Sequence, residues 1–265
     1  MWRRFFGMKR APFGNELEPD ELFESQALRE ATARLNYLLD VHGIGLLTGE
    51  VGTGKTTVAR RALAAQHPSL CRLLYVPNTT GTPMDLYKTI AWQLGLEPSA
   101  NRAGLYRQIR DEVQGLVQEK RVRPVLVVDE AHLLRPDTLE ELRLLTNYQM
   151  DSRNHLTLLF IAQPELDRRL TMSVHESLRQ RLIVRWKLGA LGRDELPGYL
   201  EHHLRLAGVA HPVFTEPAVE AIAQASKGVL RRINALARHA LAAAAAGKSR
   251  EVGPTHVEAA VEEAP

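Results

Sequence analysis

The sequence predicts an α/β protein: a parallel five-stranded sheet flanked by helices, followed by a small all-α domain. Three observations carry this. Short segments that are apolar throughout alternate with helical stretches, the pattern of a parallel sheet covered on both faces. One of those segments ends in a glycine-rich loop that leads directly into a helix. Beyond about residue 190 the apolar segments stop and only helical stretches remain.

Taken in order, 43–47 (Gly-Ile-Gly-Leu-Leu) reads as the first strand, and 55–65 as the helix after the loop. The second strand is 72–76, closed by Pro77, and 84–94 has the helical spacing of Leu86, Ile90 and Leu94. Residues 125–128 form a third, fully apolar strand. Asp137 and Glu140 read as an N-cap and its capping-box partner, opening a helix through Leu139, Leu142 and Leu145. The fourth and fifth strands are 156–162 and 183–188. Helices follow at 193–207, 216–226 and 230–246, and Thr255 with Glu258 caps a last short one. The alanine run at 240–246 is helix rather than low-complexity coil, since alanine is the best helix former. Three parts are expected: an N-terminal segment 1–40, an α/β domain 41–190 that holds the glycine-rich loop, and a helical domain 191–265.

Composition narrows the class. Lys and Arg total 34 against 31 Asp and Glu, a net charge of +3, so any surface for a polyanion must be local. The longest apolar runs, 156–162 and 240–246, fall far short of the roughly 20 residues that span a bilayer. The N-terminus is basic but lacks the apolar region of a secretion signal. Cys71 is the single cysteine, so no internal disulfide forms. The expectation is a cytoplasmic protein with no membrane partner.

The chemistry is concentrated in two places. Gly49, Glu50, Val51, Gly52, Thr53, Gly54, Lys55 and Thr56 match G-x-x-x-x-G-K-[ST] between a strand and a helix, with Thr57 beside them also counted as nucleotide-binding. Glycines let successive N–H groups and the helix N-terminus point at phosphates. Lys55 is placed to reach the β- and γ-phosphates, and the Thr56 hydroxyl to ligate Mg2+. The strand at 125–128 delivers Asp129 and Glu130 at its C-terminal end, the edge where such sheets bind ligands. Asp129 is the expected metal ligand, and Glu130 the base that orients and deprotonates water. ATP and Mg2+ are the ligands that these motifs call for.

With those residues in view, the chain resembles an AAA+ ATPase, specifically of the ExeA-like family. The marks are Phe5-Phe6-Gly7 with Pro12-Phe13, the glycine-rich loop, Asp-Glu-Ala-His at 129–132, Ala162-Gln163-Pro164-Glu165-Leu166 and Arg231-Arg232-Ile233-Asn234, spanning roughly 2–245. The resemblance implies that Gln163 is the first sensor, contacting the γ-phosphate or the lytic water. It implies that Arg181 is an arginine finger inserted into a neighbouring subunit, with Arg179 the close competitor, and that hydrolysis therefore requires a homo-oligomer, ring or filament. Arg231 takes the place of the second sensor, which reports the nucleotide to the helical lid. For these arginines a solvated helix face is the competing reading. Asn78 is a candidate to pair with Glu130 as a switch.

Two kinds of ExeA-like ATPase are known, a membrane-attached secretion ATPase and a short soluble form similar to the target-selecting ATPases of transposons. The length of the chain and its lack of a membrane span favour the second, which implies binding to double-stranded DNA and to a transposase. A secretion-assembly ATPase with a separate membrane subunit and a nucleotide-gated scaffold with little hydrolysis are the alternatives. Between 161 and 190 six positive residues, Arg168, Arg169, Arg179, Arg181, Arg185 and Lys187, face three negative ones and could meet phosphates. No helix-turn-helix or zinc motif is present to read base edges, so binding indifferent to sequence is expected. Thr79, Thr80 and Lys88 are the candidate DNA contacts, against an ordinary solvated loop.

Overall fold

The computed structural model describes residues 2–14, 16–77, 80–148 and 154–263. These form two compact units, one of residues 30–50 and 55–188, the other of residues 1–29, 51–54 and 189–265.

The first unit is built on five strands, β1 (Ile44–Thr48), β2 (Cys71–Val76), β3 (Arg123–Val128), β4 (Thr157–Ala162) and β5 (Leu182–Lys187), in the order β2-β3-β4-β1-β5. Every pairing is parallel, as the apolar segments predict. β1 and β4 are buried along their whole length, and β3 is exposed only at Arg123. The edge strands β2 and β5 carry exposed residues, because each lacks a neighbour on one side. Bounds lie within a residue or two of those read from sequence.

Counting the short helix α1 (Trp2–Phe5) of the other unit as the first, the next two are α2 (Gln26–Val41) and α3 (Lys55–Ala64). They are followed by α4 (Pro83–Leu94), α5 (Arg102–Gln118), α6 (Pro136–Leu145), α7 (Pro164–Arg169) and α8 (Glu176–Arg179). A continuous core joins Leu74, Leu126 and Phe160 of the sheet to Tyr87, Ile109 and Leu142 of α4, α5 and α6. Helix α4 begins in a capping box: the Thr82 hydroxyl accepts from the Asp85 N–H while the Asp85 carboxylate accepts from the Thr82 N–H.

The expected cap of α6 is corrected. The N-cap is Arg135, with Pro136 at the first helical position, where its missing N–H costs nothing. Asp137 lies inside the first turn and accepts from the Thr138 N–H at 2.9 Å, and Glu140 pairs with Arg143 instead. Asp137 remains favourably placed against the helix dipole without capping it. The last helix likewise starts at Pro254, so Thr255 lies within it.

The second unit holds α9 (Leu196–Leu206), α10 (Glu216–Ser226), α11 (Leu230–Ala246) and α12 (Pro254–Glu263). Its core includes Phe6, Met8 and Phe13 from the N-terminal segment, packed with residues such as Leu200, Ile222 and Leu241. Phe13, fully buried, stacks on His203 at 5.0 Å between ring centroids. That burial holds the His203 imidazole neutral, with its pKa down at about 4. The aromatic residues near the N-terminus thus belong to the helical unit.

Candidate active site

The parallel sheet gathers the candidate side chains at the C-terminal ends of β1, β3 and β4. Residues 49–54 follow β1, and α3 opens at Lys55. Gly52 and Gly54 adopt φ of +83° and +94°, a region that costs other residues strain, so glycine is required by conformation at these two positions. Gly52 is also constrained by space, because a Cβ there would fall 2.6 Å from the Cβ of Arg231. The Arg231 N–H donates to the Gly52 carbonyl at 3.1 Å, so this arginine is tied to the glycine-rich segment through its backbone.

Lys55 is buried, and its ammonium donates to the carbonyls of Gly49 and Glu50 at 2.9 and 3.0 Å. The Thr56 hydroxyl donates to Asp129 Oδ2 at 2.9 Å, joining the first turn of α3 to the end of β3. Asp129, also buried, receives two further bonds: from the Tyr75 hydroxyl at 2.9 Å and, on its other oxygen, from the Glu130 N–H at 2.8 Å. Burial and the Asp129 carboxylate push the Tyr75 phenol up to about 12, so it remains a donor across the physiological range.

Glu130 has φ 50°, in the left-handed region that a non-glycine residue seldom occupies. The backbone turns there, and the Glu130 side chain is half-exposed. The turn Ala131–Leu133 follows at once. Gln163 caps β4 and precedes α7; its amide nitrogen lies 2.9 Å from His132 Nε2.

The arginines diverge. Arg168 pairs with Glu165 at 2.9 Å and Arg185 with Asp167 at 2.5 Å, while Arg169 donates to the carbonyls of His132 and Leu134. Arg168, Arg169 and Arg185 of the basic stretch are therefore engaged inside this unit. Arg179 is exposed at the end of α8. Arg181 is half-buried, and with Arg143 its charge holds the Glu140 carboxyl below its ordinary range, Arg143 having the larger effect. Of the DNA-contact candidates, Thr79 lies outside the described residues, as does Asn78. Thr80 is exposed and Lys88 is half-buried on α4. The Asp85 carboxylate is drawn toward the N-terminus of that helix, which adds negative charge beside them.

The structure therefore joins Thr56 to Asp129 and Gln163 to the Asp-Glu-Ala-His turn. Two participants escaped the sequence reading. Tyr75 looks like an ordinary strand aromatic, and His132 was visible in the motif without a partner, because Gln163 lies 31 residues further along.

A parallel sheet in the order β2-β3-β4-β1-β5, with a glycine-rich loop after β1 and paired carboxylates after β3, is the fold of an AAA+ ATPase, and residues 39–170 match the family model described as AAA domain. The chain is 38% identical to the General secretion pathway protein A of Aeromonas hydrophila over 255 residues, 95% of this chain and 46% of that one. It is 26% identical to the ATP-dependent target DNA activator B of Escherichia phage D108 over 143 residues, 54% of this chain and 42% of that one. The chain thus spans less than half the length of these curated relatives. Among solved structures, the Cdc6p of Pyrobaculum aerophilum shares the fold with a TM-score of 0.74 at 17% identity, covering 95% of this chain and 70% of that one. No helix among the described residues is long and apolar enough to cross a membrane.

Proposed function

We propose that this chain is a magnesium-dependent ATPase that assembles with ATP on double-stranded DNA and regulates DNA transposition by recruiting or activating a transposase. The observation that carries the ATPase part is the 2.9 Å bond between the Thr56 hydroxyl and the buried Asp129 carboxylate. Two hard oxygen donors held together beside a phosphate loop suit Mg2+, which prefers a carboxylate, a hydroxyl and substrate phosphates to a cage made only of protein. The ion would supply charge neutralisation on the β- and γ-phosphates. Tyr75 fixes the Asp129 carboxylate, Lys55 presents its ammonium at the loop, and the half-exposed Glu130 takes the proton of the attacking water. Arg181 completes the site of a neighbouring subunit, and Arg231 reports its state to the helical unit.

Support for the DNA part comes from the similarity to an ATP-dependent target DNA activator. With Arg168, Arg169 and Arg185 engaged internally, a single subunit offers few phosphate contacts, so binding depends on many aligned subunits. A second reading, assembly of a secretion apparatus through a separate membrane subunit, is favoured by the 38% identity to a secretion-pathway protein across 95% of the chain.

Fluorescence anisotropy with a long duplex, in ATP, in ADP and without nucleotide, separates the two. Expected are cooperative binding in ATP alone, indifference to sequence, and a steep loss of affinity between about 50 and 200 mM salt. Equal affinity in all three states, or no binding at low salt, would reject the DNA reading and leave the secretion one.

A further inference from the structure

We infer that His132 is a positioning residue that couples the carboxylate of Glu130 to the amide of Gln163, so that the two strand ends respond to nucleotide as a unit. The roles of Glu130 and Gln163 rest on the ATPase reading above, whereas the coupling rests on contacts within one unit.

The His132 side chain is 12% exposed, against 51% for Glu130. Its Nε2 stands 2.9 Å from the Gln163 side-chain nitrogen. Its Nδ1 stands 3.5 Å from Glu130 Oε2, and 3.5 Å from the Gln163 backbone nitrogen. The backbone that carries the ring is clamped, since Arg169 donates to the His132 carbonyl at 2.6 Å and to the Leu134 carbonyl at 2.8 Å. The ring therefore lies between the two groups on a fixed support.

A neutral imidazole has one donor and one acceptor nitrogen, which leaves two arrangements. With the proton on Nδ1, the ring points its donor at the Glu130 carboxylate and accepts at Nε2 from the Gln163 amide, and Nδ1 no longer accepts from the Gln163 backbone N–H. With the proton on Nε2, the Gln163 amide must turn by 180° to offer its oxygen, and Nδ1 accepts from the Gln163 backbone N–H. The carboxylate then has no donor from this ring. Changing from the first to the second requires one proton to leave Nδ1 for water and one to be taken up at Nε2, so the ring stays neutral. A phosphate oxygen accepts hydrogen bonds and cannot donate them, so γ-phosphate beside Gln163 favours the turned amide. That arrangement withdraws the ring's donor from Glu130, which makes His132 the link between sensing the nucleotide and the hydrogen bonding of the base.

The test is nitrogen NMR of the histidine rings in the full chain, with the His132 signal assigned by its loss in His132→Asn. Spectra are taken without nucleotide and with Mg2+ and a non-hydrolysable ATP analogue. The wild type is expected to move from Nδ1–H to Nε2–H when the analogue binds, and Gln163→Ala to lose that response. An unchanged tautomer in the wild type with analogue bound would overturn the coupling. Should a fluorescent analogue show no binding at all, the ATPase reading falls. The nucleotide-free comparison then decides the coupling: a ring signal altered by Gln163→Ala supports it, and an unaltered one overturns it. In turnover, His132→Ala is expected to lower kcat about 10–100-fold, the range for groups that orient others, with ATP affinity unchanged. Combining it with Gln163→Ala should cost no more than the slower single variant, whereas fold-losses that multiply would overturn the inference.

Discussion

Replacing Lys55 by alanine is expected to abolish ATP binding while leaving the fold intact. The ammonium already sits within the loop, donating to the Gly49 and Glu50 carbonyls at 2.9 and 3.0 Å, so it is held at the segment that the motif assigns to the β- and γ-phosphates. Two charge-assisted hydrogen bonds to phosphate are worth about 3–6 kcal/mol together, so affinity should fall on the order of 10²- to 10⁴-fold. Titration of a fluorescent ATP analogue by anisotropy measures this, and thermal melting without nucleotide controls for the fold. ATP affinity unchanged in Lys55→Ala would remove the phosphate loop from the account.

The second large effect concerns assembly. Arg181→Ala is expected to leave ATP binding intact and to lower hydrolysis by about 10³-fold or more, the range of arginine fingers. Because the arginine is proposed to act in a neighbour's site, mixing this variant with Lys55→Ala subunits should restore turnover. The latter still supply the finger, and the former still bind ATP. The structure sharpens the comparison with Arg179, since Arg181 is half-buried and acts on Glu140, whereas Arg179 is exposed at the end of α8. A defect in Arg179→Ala with normal Arg181→Ala would move the finger by two residues. Mixed subunits that never regain activity would contradict action in trans.

The sheet was legible because parallel strands buried on both faces must be apolar along their length, as Val125 to Val128 and Leu158 to Ala162 are. Helices α10 and α11 were legible for a different reason: Thr215 caps the first, and a run of good helix formers fills the second. Helix α5 was left unread although Leu105, Ile109, Val113 and Leu116 carry its period, a signal diluted by the polar residues between them. The N-terminal segment could not be placed from local pattern, because Phe6 and Phe13 are buried by residues nearly two hundred positions away. Its burial is a tertiary outcome.

The site divides similarly. The glycine-rich loop and the Asp-Glu pair are local motifs with fixed mechanics, and the sequence placed Thr56 and Asp129 in their proposed roles. Their joining by a hydrogen bond depends on α3 opening beside the end of β3, and the addition of Tyr75 depends on the register of β2 against β3, which pairs Tyr75 with Val127. His132 depends on the pairing of β3 with β4, which brings the turn after one strand beside Gln163 at the end of the next. The capping error at Asp137 has a local cause: Pro136 at the first helical position is as good a start signal as Asp137, and the chain uses the proline.

The central claim is that ATP bound at the loop is hydrolysed by water that Glu130 activates. Glu130→Gln tests it most directly, since the substitution removes the base and leaves its shape. With Mg2+ and ATP, phosphate release and the nucleotide retained by the protein are measured together. Release is expected from the wild type and, in Glu130→Gln, tight retention of unhydrolysed ATP with little or no release. Phosphate release by Glu130→Gln at the wild-type rate would contradict it.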